Sequence, residues 1–109
     1  MDSALGTLSG TPKPVGMQFL AITRRRTESF SDAQFAEALG IEADRARALY
    51  ADGIFRTLNS RGDIPGAVIG IEAPDFAAAQ AAIASLPFAQ REMMDVEIIP
   101  LRPYRGFVP

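Results

Sequence analysis

Two periodicities alternate along the chain. Over residues 17–23, MQFLAIT, a short block of apolar and strand-favouring side chains stops at Arg24, Arg25 and Arg26, and the block reads as a first strand. The period then changes. Ser31 followed three residues later by Gln34 is a capping-box signature, and Phe30 and Phe35 occupy hydrophobic-staple positions, so a helix is expected from about Asp32. Phe35, Leu39, Ala43, Ala46 and Leu49 recur at helical spacing and predict its buried face, while Gly53 supplies a left-handed end. IFRTLNS (54–60) and GAVIGIEA (66–73) return to strand formers around RGDIP, whose Gly, Asp and Pro favour a turn, which predicts an antiparallel hairpin. Asp75 can cap a second helix carrying Phe76, Gln80, Ile83 and Leu86, and Pro87 is expected to end it. MDVEIIPL (94–101) reads as the fourth strand, in which Asp95 and Glu97 share one face and Val96 and Ile98 the other. Two carboxylates so placed are either a reactive pair or the wet side of a strand, and the apolar residues opposite favour the second.

The order β-α-β-β-α-β belongs to the α+β class and predicts the ferredoxin-like fold, a four-stranded antiparallel sheet with both helices on one face. Its other face needs a cover, and a second copy of the same sheet supplies one, so a dimeric α/β barrel is expected. Arg24, Arg25, Arg26, Arg56, Glu72 and Asp95 are expected to gather at one end of the sheet. The Gly-, Pro- and Ser-rich residues 1–16 read as an N-terminal extension without the n- and h-regions of a signal peptide, and Met17 suits a natural start. The domain itself then spans 17–109, with a tail at 102–109 whose Tyr104, Arg105 and Phe107 suit a strap on a neighbouring subunit.

Composition narrows the chemistry. The net charge of -2 and a pI near 5.0 give no basic face for phosphates, so no nucleic-acid partner is expected. No apolar run approaches the roughly 20 residues of a spanning helix, so no membrane partner is expected either. There is no Cys and no His, which removes disulfides, thiolate nucleophiles, Ser-His-Asp triads and imidazole metal ligands. Acid–base work falls to Asp, Glu, Tyr, Arg and the lone Lys13.

Four residues stand out against ordinary alternatives. Glu72 closes an apolar strand and is the candidate catalytic base, burial raising its proton affinity; alternatively it is a solvated carboxylate near a helix start. Arg56 offers a bidentate fork for a substrate carboxylate, or a cross-strand ion pair. Tyr50 can present its hydroxyl to a ligand oxygen, or be a core residue with a wet tip. Arg24, Arg25 and Arg26 together can attract an anionic metabolite beside the first helix start, with Arg26 the binding candidate among them, or be a solvated loop. The RGD at 61–63 is read as hairpin-turn chemistry.

Leu86-Pro87-Phe88, a short spacer, then Met94-Asp95-Val96-Glu97-Ile98, one residue, and Pro100-Leu101 resemble the end of the muconolactone isomerases. Gly53-Ile54-Phe55-Arg56 is similar to the Gly, variable, aromatic, Arg sequence that follows their first helix. The resemblance covers residues 17 to about 102. It implies a homo-oligomeric barrel in a bacterial cytoplasm, free of metal and organic cofactor, shifting a proton and a double bond in a small anionic lactone from aromatic breakdown. The family's first strand carries a His and a Glu where this chain has Leu20 and Ile22. Two further readings stay open: a non-catalytic metabolite-binding or assembly module, and a cofactor-independent monooxygenase.

Overall fold

A computed structural model describes residues 16–107. The extension expected at 1–16 lies outside them apart from Gly16, as do the last two residues of the tail. Strand β1 (Met17–Arg25) leads to helix α1 (Asp32–Ala51), followed by β2 (Phe55–Ser60), β3 (Ala67–Ala73), α2 (Phe76–Ala84), a short α3 (Pro87–Gln90), β4 (Met94–Leu101) and a 3-10 turn at Arg105–Phe107. The four strands form one sheet in the order β2-β3-β1-β4, and each neighbouring pair is antiparallel. This is the expected ferredoxin-like α+β fold. No helix among the described residues is long and apolar enough to cross a membrane.

The helix boundaries follow from local chemistry. At the start of α1 the Gln34 N–H donates to Ser31 Oγ (3.2 Å) and the Ser31 N–H donates to Gln34 Oε1 (2.8 Å), so two donors that a helix start leaves orphaned are satisfied reciprocally. Phe30 meets Phe35 edge-on beside this cap, with ring centroids 6.1 Å apart. Asp52 ends the helix and Gly53 follows at φ 79°, where a side chain would be strained. Asp75 caps α2 by accepting the Ala78 N–H at 2.8 Å. Pro87 departs from expectation: α2 has already ended at Ala84, and Pro87 opens α3, a first helical position where its missing N–H costs nothing.

Alternation in the strands decides what is inside. Phe19, Ala21 and Thr23 of β1 are at most 3% exposed, as are Ile69 and Ile71 of β3, and these face the helices. Phe55, Leu49 and Leu86 complete the fully buried set, each worth about 2–3 kcal/mol of apolar burial. Leu20, Ile22, Val68 and Ile99 lie half-buried on the opposite face, with no helix over them. In α1 the buried residues are Phe35, Ala38 and Leu49, whereas Leu39 is 47% exposed. The inward stripe is thus rotated slightly from the one expected.

The gathering of charges at one sheet end does not occur. Gln18 pairs with Glu72 near the start of β1, and Arg24 pairs with Asp95 near its end. β3 runs opposite to β1, so its last residues lie beside the first residues of β1. At about 3.3 Å per residue the two groups stand roughly 20 Å apart.

Gly66, at φ 156°, passes so close to β1 that a Cβ there would overlap the Thr23 carbonyl oxygen. Backbone cannot swing aside as a flexible side chain can. Gly66→Ala is expected to cost about 2 kcal/mol, read as a lower urea midpoint with an unchanged m-value.

Candidate functional site

A cleft of about 640 Å³ opens between α1 and the helix-facing side of the sheet. Its wall is mostly apolar: Leu39, Ala43 and Ala46 from α1 face Phe55, Leu58 and Ile69 from the sheet. The two alanines leave the room. Larger residues at those positions would fill the space between α1 and the strands.

Arg25 reaches this cleft, and its neighbours do not. Alternation along β1 puts Arg25 on the side of Phe19, Ala21 and Thr23, whereas Arg24 lies on the other face. Arg24 is spent in ion pairs with Glu28 (3.0 Å) and Asp95 (2.5 Å), and the Arg24 guanidinium holds the Glu28 carboxyl down at about 2. Arg26 donates to the Glu92 carbonyl at 2.8 Å. The Arg25 guanidinium rests on the rings of Phe35 and Phe88, 5.2 and 5.3 Å from their centroids. Among the described residues it has no carboxylate or carbonyl partner. A half-buried cation with no anion at ion-pair distance has capacity to receive one.

Among the described residues, Glu42 is the one carboxyl in the wall. Its Oε1 accepts the Phe88 N–H at 2.8 Å, which ties α1 to α3 and fixes the side chain. Burial pushes this carboxyl above its ordinary value of 4.5, and the Phe88 N–H and the Arg25 charge offset part of the rise. Thr23, deeper in the cleft, accepts the Ala67 N–H on its Oγ1 at 3.0 Å. Sequence reasoning named Arg25 only as one of three arginines in an anion-attracting run and did not name Glu42, yet the signals that select both are present. Carrying the β1 alternation two residues past the apolar run selects Arg25. The series Phe35, Ala38, Glu42, Leu49 sets a charge on the inward stripe of α1.

The structure places the four expected site residues in three locations. Tyr50 lines the cleft, with 60% exposure rather than as a core residue. Arg56 and Glu72 are brought together, but with each other, at 2.5 Å across the β2–β3 pair. They border a separate recess of about 490 Å³ with Asp52, Gly53 and Pro74. Pairing skips Arg56 between Phe55 and Thr57, a bulge that aims the guanidinium at Glu72. Arg26 lines neither cavity. Asp95 and Glu97 are exposed side chains on one strand face, and Asp95 is engaged by Arg24. Arg61 and Asp63 of the RGD pair with each other at 2.8 Å inside the hairpin turn.

Glu42 gives a pH signature of stability. Its folded-state value is raised, so the stability associated with the bound proton is present below about 4.5 and lost as pH rises through the raised value. Glu42→Gln keeps the Phe88 acceptor and cannot ionise. Its stability relative to the parent is expected to increase from about pH 4 upward and then level off, measured as urea midpoints across about pH 4 to 8.

No protein-family model matches the chain, and no curated protein matches it. Among solved structures, a crystal structure of muconolactone isomerase superposes with a TM-score of 0.70 over 85% of this chain and 96% of that one, at 18% sequence identity. The strand order and helices thus sit on a known framework, and the chain has the muconolactone isomerase-like fold.

Proposed function

We propose that the protein is a cofactor-free enzyme of the muconolactone isomerase type, shifting a proton and a double bond in a small anionic lactone or a related ring. The observation that carries this reading is the unpartnered Arg25 guanidinium on the wall of an apolar cleft. An apolar volume of this size suits a ring, and one cation suits one carboxylate. Arg25, flanked by Phe35 and Phe88, binds the carboxylate, and the apolar wall that includes Phe55 and Ile69 receives the ring. Tyr50 at the rim supplies a hydroxyl to a ligand oxygen. The ligand belongs to aromatic breakdown, and the setting is the bacterial cytoplasm.

A binding module without catalysis is the second reading, favoured by the chain's lack of His and by a wall dominated by aliphatic side chains. The same cleft would then hold an aromatic or lactone acid unchanged. Catalytic use of Glu72 with Arg56 requires the smaller recess instead, where each is engaged by the other.

A second copy covers the open sheet face. Leu20, Ile22, Val68 and Ile99 form an apolar patch there, and Leu20 pairs with Ile99 across β1 and β4. The tail around Tyr104 straps the neighbouring subunit in this assembly.

Proton NMR of muconolactone with the protein in deuterated buffer tests the reaction. Double-bond migration with deuterium uptake is expected, and Arg25→Ala is expected to raise KM about 10- to 100-fold, the loss of a charge-assisted contact. Binding without turnover would favour the module, and loss of exchange in Glu72→Gln would move the reaction to the recess. Sedimentation tests the assembly: at least twice the 11.7 kDa chain mass is expected, falling to the monomer in Leu20→Glu.

A further inference from the structure

Among the described residues, five carboxylates are already spent in ion pairs. Glu28 and Asp95 hold Arg24, Asp63 holds Arg61, Glu72 holds Arg56 and Asp44 holds Arg47. Glu42 is in no ion pair among the described residues, and it faces a cavity that also receives an unpartnered cation. We propose that Glu42 is the proton-carrying catalytic residue of the cleft, acting on a ring carbonyl compound whose acidic C–H lies across a double bond from the carbonyl. The assignment rests on reading the cleft as an isomerase site.

Geometry fits the role in three respects. The Phe88 N–H holds Oε1, so the carboxyl is oriented before a ligand arrives, and Oε2 has no hydrogen-bond partner among the described residues. Arg25, from β1, is the charge that acts on Glu42, near enough to steady an anion formed in the cleft but outside ion-pair distance. Arg47 and Tyr50 of α1 line the same cleft, Arg47 being drawn to Asp44 at 2.7 Å, and α3 contributes no charged residue to it. Desolvation strengthens the carboxylate as a base, which matches it to a weakly acidic carbon.

The step balances within one ligand and one side chain. The Glu42 carboxylate takes the proton from the ring carbon across the double bond from the carbonyl. The C–H pair becomes the new C=C bond, and the old π pair moves toward the carbonyl oxygen, giving an enolate. Glu42, now a carboxylic acid in a cleft open to solvent, exchanges this proton with water and delivers one to the carbon next to the carbonyl, and the C=O bond re-forms. No oxidant, metal or second reactant takes part.

The test compares Glu42→Gln and Glu42→Asp with the parent, in deuterium exchange and double-bond migration of muconolactone, and in calorimetric binding of benzoate as a non-reacting planar carboxylate. Glu42→Gln is expected to lose about 10²- to 10⁴-fold in rate while its benzoate Kd stays within about twofold, and Glu42→Asp to recover part of the rate. The parent rate is expected to fall on the acid side with an apparent pKa above 4.5. A parent that turns over while Glu42→Gln keeps its rate overturns Glu42 and leaves the isomerase reading standing. Parallel loss of rate and benzoate binding in Glu42→Gln reduces the residue to a tie between α1 and α3, and also overturns the proposal. No turnover by the parent overturns both readings.

Discussion

The antiparallel pairing of β1 with both of its neighbours governs the rest of the molecule. As the inner strand between β3 and β4, β1 has its register set by which of its side chains are dry: Phe19, Ala21 and Thr23 go under the helices and cannot trade places with Gln18, Leu20 and Ile22. A slip of one residue would expose a phenylalanine and bury a glutamine. The same constraint continues to the strand end, where it sorts three consecutive arginines. Arg24 goes to the open face and its carboxylates, and Arg25 to the aromatic rings beneath the helices. Core packing and ligand chemistry are therefore consequences of one register.

Charge pairing then separates structural groups from chemical ones. Where a carboxylate and a guanidinium meet near solvent, as in Arg24 with Glu28 and Asp95, each neutralises the other and the net stabilisation is small. Inside the cleft the opposite holds. Arg25 rests on aromatic faces and Glu42 accepts one backbone N–H, and the two act on each other only through space, without an ion pair. Both retain capacity for a ligand.

Much of the fold was legible in the sequence because local signals agreed with one another. The Ser31–Gln34 box, Gly53 and the RGDIP turn each carry a backbone requirement that few residue types meet, and each is realised. Family resemblance in the fourth strand and the superposition on muconolactone isomerase point to the same framework. The site was less legible because it depends on direction. Glu72 and Arg56 were expected beside the arginine run, but strand polarity places them at the far end of the sheet, where they satisfy each other. Glu42 was hidden by a stripe drawn through Leu39, about one helical position from the true inward line through Ala38. Patterns of period two and 3.6 locate faces well, but which of two neighbouring residues crosses a boundary depends on tertiary packing.

The bulge at Arg56 has a consequence beyond aiming one side chain. β2 and β4 are the two margins of the sheet, and a row of free backbone donors and acceptors along such a margin can template another strand. In β2 the row is interrupted at Arg56. In β4 it is interrupted at the same end of the sheet by Pro100, which has no N–H to give. Neither margin presents a long uninterrupted ladder, so chains crowded together in a cell or a concentrated sample meet an obstacle to zipping edge to edge into growing cross-β stacks.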